Sequence, residues 1–187
     1  SNMYKYENKL YVIKMTGKEI KDYLEASYDG WINQMKKPTD HLLQLTEYNG
    51  NVTFKNELFN FDSAAGIYYT VDVTKNKGER ISISKMADGE PFFANKTYQV
   101  ALNSYRGNGG GGLLTAAGIP EEEQKERIIY RSDNEMRYYI MKYIEQNGTN
   151  IFHSLNLWKF IPTEWTKAAA QRDAELLFGK KGANEQH

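Results

Sequence analysis

None of the 187 residues is a cysteine, which removes disulfides, thiolate metal sites and a cysteine nucleophile from the chemistry open to this chain while leaving its compartment undecided. Histidine is scarce as well. His41, His153 and His187 have no second histidine or carboxylate at ligand spacing, so neither a zincin helix nor a two-metal phosphoesterase centre assembles from the visible motifs. His187 closes the chain, and His41 and His153 read as structural. No G-x-S-x-G marks a serine nucleophile elbow. Net charge is missing too: 24 Lys and Arg balance 24 Asp and Glu, which leaves no electrostatic footprint for a nucleic-acid duplex or an anionic membrane. No apolar run approaches the roughly 20 residues of a membrane span. The N-terminus has no signal-peptide pattern, and Ser1-Asn2 reads as the remnant of a cleaved tag.

What the chain does have is aromatic side chains and one concentrated run of glycine. Fourteen tyrosines and three tryptophans are many for this length, and most are expected in a core or on a half-buried sheet. Three glycosylation sequons, at Asn51, Asn95 and Asn147, are short enough to be chance in an asparagine-rich chain.

The periodicities alternate between two and 3.6. Leu10 to Met15 reads as a strand with Tyr11, Ile13 and Met15 on one face. Thr16 with Glu19 forms a capping box that opens a helix carrying Ile20, Tyr23, Leu24 and Ser27. Short strands follow over Leu42–Leu45, Val52–Phe54, Ile67–Val73 and Arg80–Ser84, the last two joined by the turn Lys75-Asn76-Lys77-Gly78. Tyr98 to Leu102 is another strand. Ser132 with Glu135 reads as a second capping box ahead of an apolar stripe of Met136, Tyr139, Ile140, Tyr143 and Ile144. Thr163 to Phe178 is a last amphipathic helix carrying Trp165, Ala169, Leu176 and Leu177, stopped by Gly179. Strands in a central block with helices on either side predict an α+β single domain over residues 1–179, with a mixed β-sheet, flanking helices and a polar, disordered tail over 180–187.

The strand at Tyr98 delivers the chain into Asn103-Ser104-Tyr105-Arg106-Gly107-Asn108-Gly109-Gly110-Gly111-Gly112. Consecutive glycines are costly to order, so an ordered loop of this kind serves a sharp turn or a close backbone approach. Tyr105 is placed to stack on a planar group, and Arg106 to pair with an anion or only to anchor the loop. A Walker loop is excluded because Leu113 and Leu114 stand where a lysine and a hydroxyl residue are required. The surroundings also fail to alternate as βαβ, which excludes a dinucleotide fingerprint.

Several segments together resemble the C-terminal domain of the bacterial 5'-nucleotidase and 2',3'-cyclic-nucleotide 2'-phosphodiesterase/3'-nucleotidase family. They are Tyr4 to Asn8 with the strand Leu10–Met15 and its helix, Ala65-Gly66-Ile67 through Asp72 to Arg80, the Tyr105 glycine loop, and Trp158-Lys159-Phe160-Ile161-Pro162. The resemblance implies a two-domain hydrolase in which an N-terminal metallophosphoesterase domain, outside this chain, holds two divalent metal ions and does the chemistry. The C-terminal domain would then hold the nucleoside and need no cofactor or catalytic residue of its own. It further implies a substrate-binding set of Tyr6, Asn8, Tyr105, Arg106, Gly109, Gly110 and Gly111, with the base clamped between the Tyr6 and Tyr105 rings and its edge read by Asn8. The implied partners are a nucleoside or nucleotide and the N-terminal domain, with neither duplex nor membrane, and the implied location is periplasmic or exported. The chain lacks the family's Asn-Gly-Gly-Gly-Ile-Arg segment. It also carries Gly111 where many 5'-nucleotidases have aspartate, a form similar to the cyclic-phosphodiesterase branch. A 5'-nucleotidase or UDP-sugar hydrolase domain, and a structural domain with no ligand, remain open alternatives.

Overall fold

The structure is a computed structural model that describes residues 8–57, 60–135 and 157–185. Strand β1 (Lys9–Thr16) buries Tyr11, Ile13 and Met15 and turns Lys14 outward, the alternation written in its sequence. Helix α1 (Gly17–Asp29) starts where the capping box requires. Thr16 N donates to Glu19 Oε1 at 2.8 Å and Glu19 N to Thr16 Oγ1 at 3.1 Å, so two otherwise orphaned amides are satisfied. The buried side of α1 carries Tyr23, Leu24 and Ser27 as expected, and Glu25 and Tyr28 with them.

The remaining elements are β2 (Leu45–Tyr48), β3 (Asn51–Phe54), β4 (Ile67–Asp72), β5 (Ile81–Met86), β6 (Thr97–Asn103), α2 (Ser104–Gly107), α3 (Leu113–Ala116), α4 (Glu121–Gln124), β7 (Ile128–Glu135), β8 (Trp158–Ile161) and α5 (Thr163–Glu185). The class is α+β. The strands are distributed over three small sheets ordered β6-β1-β7, β2-β3 and β5-β4-β8, where a single mixed sheet was expected. β1 lies antiparallel to both β6 and β7, while β4 and β8 run parallel with Tyr69 opposite Trp158 and Val71 opposite Phe160.

Contacts gather into two compact units, each built from two stretches of chain: Ser1–Tyr23 with Met86–Leu157, and Leu24–Lys85 with Trp158–His187. The first unit is centred on the β6-β1-β7 sheet, with Ile13, Met15, Leu114 and Ile119 almost fully buried. In the second, Tyr28 meets Trp31, Phe61, Tyr69, Trp158 and Phe160 at ring-centroid distances of 5.2–6.2 Å, mostly edge to face. Tyr28 and Tyr69 share a hydroxyl–hydroxyl bond of 2.9 Å inside this cluster, and burial pushes both phenols above their ordinary range.

Three readings are corrected. The expected strand at Leu42–Leu45 moves on to Leu45–Tyr48, because Asn49 (φ 51°) and Gly50 (φ 80°) make the tight turn of a β2–β3 hairpin and fix its register. Ser132 caps no helix: it lies in β7, where its hydroxyl accepts from Leu10 N at 2.9 Å and donates to Asn134 O at 2.7 Å. Sheet pairing with β1 overrides the local capping pattern there, and the stripe from Met136 to Ile144 lies outside the described residues. The last helix breaks at Gly179 (φ 77°, ψ 168°), as the glycine predicts, but helical structure resumes to Glu185 where a disordered tail was expected. Its buried residues are Thr166, Ala169 and Asp173, while Leu176 is exposed.

Candidate functional site

Asn103 ends β6 and caps α2, its side-chain oxygen accepting from Arg106 N at 2.7 Å. That cap sets the direction of the single turn Ser104–Gly107. Ser104 faces inward and its hydroxyl accepts from Lys9 N at 3.0 Å, which ties the turn to the head of β1. Tyr105, one residue on, faces solvent with 42% of its surface exposed. Arg106 faces inward again at 3% exposure and donates from Nη1 to Gly110 O at 3.2 Å, with its guanidinium 5.5 Å from the Tyr105 ring centroid. Of the two roles open to Arg106, its geometry is that of an anchor.

The glycines are explained by what lies against them. A Cβ on Gly110 would stand 2.4–2.6 Å from three ring atoms of Tyr105, so only glycine lets the ring lie down on the loop. A Cβ on Gly109 would stand 2.7 Å from Gln124 Oε1, and Gly109 itself is left-handed at φ 92°. Gly111 supplies a further left-handed residue at φ 80°, after which Leu113 and Leu114 dive into the core. Gln124 is buried and donates to Thr115 Oγ1 and Ile119 O, both at 3.0 Å, so the carboxamide under the loop is itself held in place. Tyr11 plays the same part for Gly107, whose Cβ would stand 2.5 Å from Tyr11 Cδ2. Sequence reasoning missed both supports, because a glutamine and a core tyrosine carry no local signal of what they lie beneath.

The antiparallel register pairs Leu10 with Asn103, and Lys9 N bonds the Ser104 hydroxyl, so Asn8 stands at the same end of the sheet as the turn that carries Tyr105. Asn8 is exposed there. Tyr6 lies outside the described residues, as do His153 and His187. The structure therefore brings Asn8, Tyr105, Arg106, Gly109, Gly110 and Gly111 to one end of the β6-β1-β7 sheet. It offers a supported aromatic surface there. No group of three histidine, aspartate or glutamate side chains is placed to hold a metal among the described residues, and no helix among them is long and apolar enough to cross a membrane.

The described residues thus form an α+β domain that presents a propped ring on a glycine loop. The family model described as 5'-nucleotidase, C-terminal domain, matches residues 1–118, and the chain belongs to that family. It is 30% identical over 209 aligned residues to the trifunctional nucleotide phosphoesterase protein YfkN of Bacillus subtilis, which covers 98% of this chain and 13% of that protein. A 2',3'-cyclic-nucleotide 2'-phosphodiesterase/3'-nucleotidase from Haemophilus influenzae is 27% identical over 177 residues, covering 87% of the chain and 25% of the relative. The corresponding protein of Salmonella typhimurium is 33% identical over 121 residues, covering 59% and 18%. The chain thus spans a quarter or less of the curated relatives it matches. In fold it is similar to a candidate 5'-nucleotidase from Staphylococcus aureus crystallised with alpha-ketoglutarate, at a TM-score of 0.58 and 21% identity over 85% of this chain and 28% of that one.

Proposed function

We propose that this chain is the nucleoside-binding domain of an exported, metal-dependent nucleotide phosphohydrolase of the 2',3'-cyclic-nucleotide 2'-phosphodiesterase/3'-nucleotidase kind. The observation that carries the reading is Tyr105: an exposed ring laid on Gly110 and flanked by Arg106, in a chain whose relatives are named for nucleotide hydrolysis. Stacking on such a ring contributes about 1–3 kcal/mol per base. Tyr6 supplies the second face of the clamp, and Asn8 reads a polar edge of the base. Arg106 acts through Tyr105 as a positioning residue. The two divalent metals belong to a metallophosphoesterase domain of the parent protein, which performs hydrolysis while this domain holds the nucleoside. Domain closure would then present the phosphate to the metals.

Adenosine titrated into the chain, followed by amide and tyrosine ring signals, tests this. Saturable shifts at Tyr105 and Asn8 are expected, with no phosphatase activity from the chain alone. Undisturbed Tyr105 signals at millimolar adenosine refute the clamp, and hydrolysis by the chain refutes the division of labour.

A further inference from the structure

Within the second unit an open cleft of about 570 Å³ has a different character from the tyrosine site, and it is large enough for a small-molecule ligand. Lys55, Lys77, Arg80 and His41 are among its lining residues. Arg80 is 1% exposed and rigidly held: Nε donates to Lys75 O at 3.0 Å, and Nη1 to Asp29 Oδ1 at 3.1 Å and Ile32 O at 3.3 Å. Its Nη2 has no hydrogen-bond partner among the described residues. His41 is fixed from behind, its Nδ1 2.6 Å from Oδ1 of the fully buried Asp173. That bond puts the proton on Nδ1 and leaves Nε2 as the nitrogen free to meet a ligand. Asp173 is in turn held by Leu42 N and Leu43 N at 2.9 and 3.0 Å.

Lys55 and Lys77 are exposed, and their side-chain ammonium groups form no hydrogen bond or close ion pair among the described residues. Asp29, already bound to Arg80, is the carboxylate that acts on Lys77. Lys55, Lys77 and Arg80 thus line the cleft with no aspartate or glutamate among the lining residues. Two amides on the same wall have their donors committed, Asn33 Nδ2 to His41 O and Gln34 Nε2 to Thr74 O and Asn76 Oδ1. Their carbonyl oxygens remain as acceptors. Cations around a held guanidinium suit an oxyanion, and amide oxygens beside them suit hydroxyl groups.

We propose that this cleft is a second binding site, independent of the tyrosine site, for a small polyol phosphate held by Lys55, Lys77 and Arg80, with its hydroxyls on Asn33 and Gln34. His41 is the reporter. Titration of glycerol 3-phosphate into the 187-residue chain at constant ionic strength is expected to shift the His41 imidazole protons saturably. Lys55→Glu with Lys77→Glu is expected to weaken binding at least tenfold, with an unchanged melting temperature because both lysines are exposed. Tyr105→Ala, which disables the nucleoside site, is expected to leave the response intact. Absence of a saturable His41 shift at ~10 mM glycerol 3-phosphate, an affinity weaker than about −2.7 kcal/mol, overturns the proposal. So does undiminished binding by the charge-reversed variant. A response to glycerol equal to that to glycerol 3-phosphate overturns the oxyanion role, and equal affinity for inorganic phosphate overturns the role of Asn33 and Gln34.

Discussion

Two glycines three residues apart in the chain are expected to respond to the same substitution in opposite ways. Gly110→Ala would put a methyl 2.4 Å from Tyr105 Cε2, with Cδ2 and Cζ at 2.5 and 2.6 Å, and no positive φ forbids the new side chain. Something has to move, and the cheapest mover is the ring, because 42% of Tyr105 is already in solvent. The ring swings off the loop, giving up its 5.5 Å approach to Arg106, a contact worth about 0.5–1 kcal/mol at an exposed site. Stability should therefore fall by no more than about 1 kcal/mol. Adenosine binding should fall as far as in Tyr105→Ala, by about 5- to 150-fold, which is the loss of one stacked face worth about 1–3 kcal/mol. Gly107→Ala is the contrast. Its methyl would stand 2.5 Å from Cδ2 of Tyr11, a ring 9% exposed in the middle of a three-stranded sheet, so overpacking should cost about 1–3 kcal/mol of stability. Urea denaturation of both variants beside adenosine titration separates the two effects. Wild-type adenosine affinity in Gly110→Ala, with Tyr105 ring signals unmoved, would refute the claim that the loop props the ring.

Three further outcomes are expected. Asp173→Ala leaves two buried backbone amides without their acceptor and should destabilise the chain by at least about 1–3 kcal/mol, read as a lower urea midpoint with unchanged slope. Asn103→Ala removes the cap of α2 and should cost about 0.5–2 kcal/mol while broadening the Tyr105 amide signal; a sharp, unshifted signal argues that the turn is set by something else. For Glu19, desolvation opposes the charge, but hydrogen bonds from Arg127 at 2.8 and 3.0 Å and from Thr16 outweigh it and hold the carboxyl below its ordinary value. A depressed folded pKa means stability that is present above the unfolded value, about 4.3, and is lost as pH falls through the folded one. Arg127→Met should therefore be less stable than the wild type by about 1.5–3 kcal/mol at neutral pH. The gap should narrow in thermal melts as pH falls below the unfolded value, and a gap that stays constant on acidification contradicts the assignment.

The parts of the fold written locally were legible. The Thr16–Glu19 box, the alternation of β1, and the break at Gly179 depend on neighbours in sequence, and each stands where its pattern put it. What the sequence hid depends on partners far along the chain. Asp173 reads as a polar helix residue, yet it is fully buried because His41 and the amides of Leu42 and Leu43 converge on it. Ser132 has the spacing of a cap, but β1 claims its segment as a strand. The register of β2 is set by the tight turn at Asn49-Gly50 rather than by hydrophobicity, which had pointed to Leu42–Leu45. In the candidate site the exposed ring and the glycines were legible from composition and order. The inward turn of Arg106 was not, since an arginine beside a glycine loop serves equally well facing solvent or facing a carbonyl.

The two units are threaded through each other in sequence, and this bears on how the chain can be cut. Leu24–Lys85 lies between the two stretches of the first unit, and Met86–Leu157 lies between the two stretches of the second. Neither unit is a single stretch of chain, so one nick cannot release either unit by itself. The span recognised by the family model ends at residue 118, which omits α4, β7, β8 and α5. Expressed alone, that span would leave β1 without β7 and β4 without its parallel neighbour, two bare sheet edges inviting self-association. The smallest piece that can be made and studied is accordingly the interleaved whole.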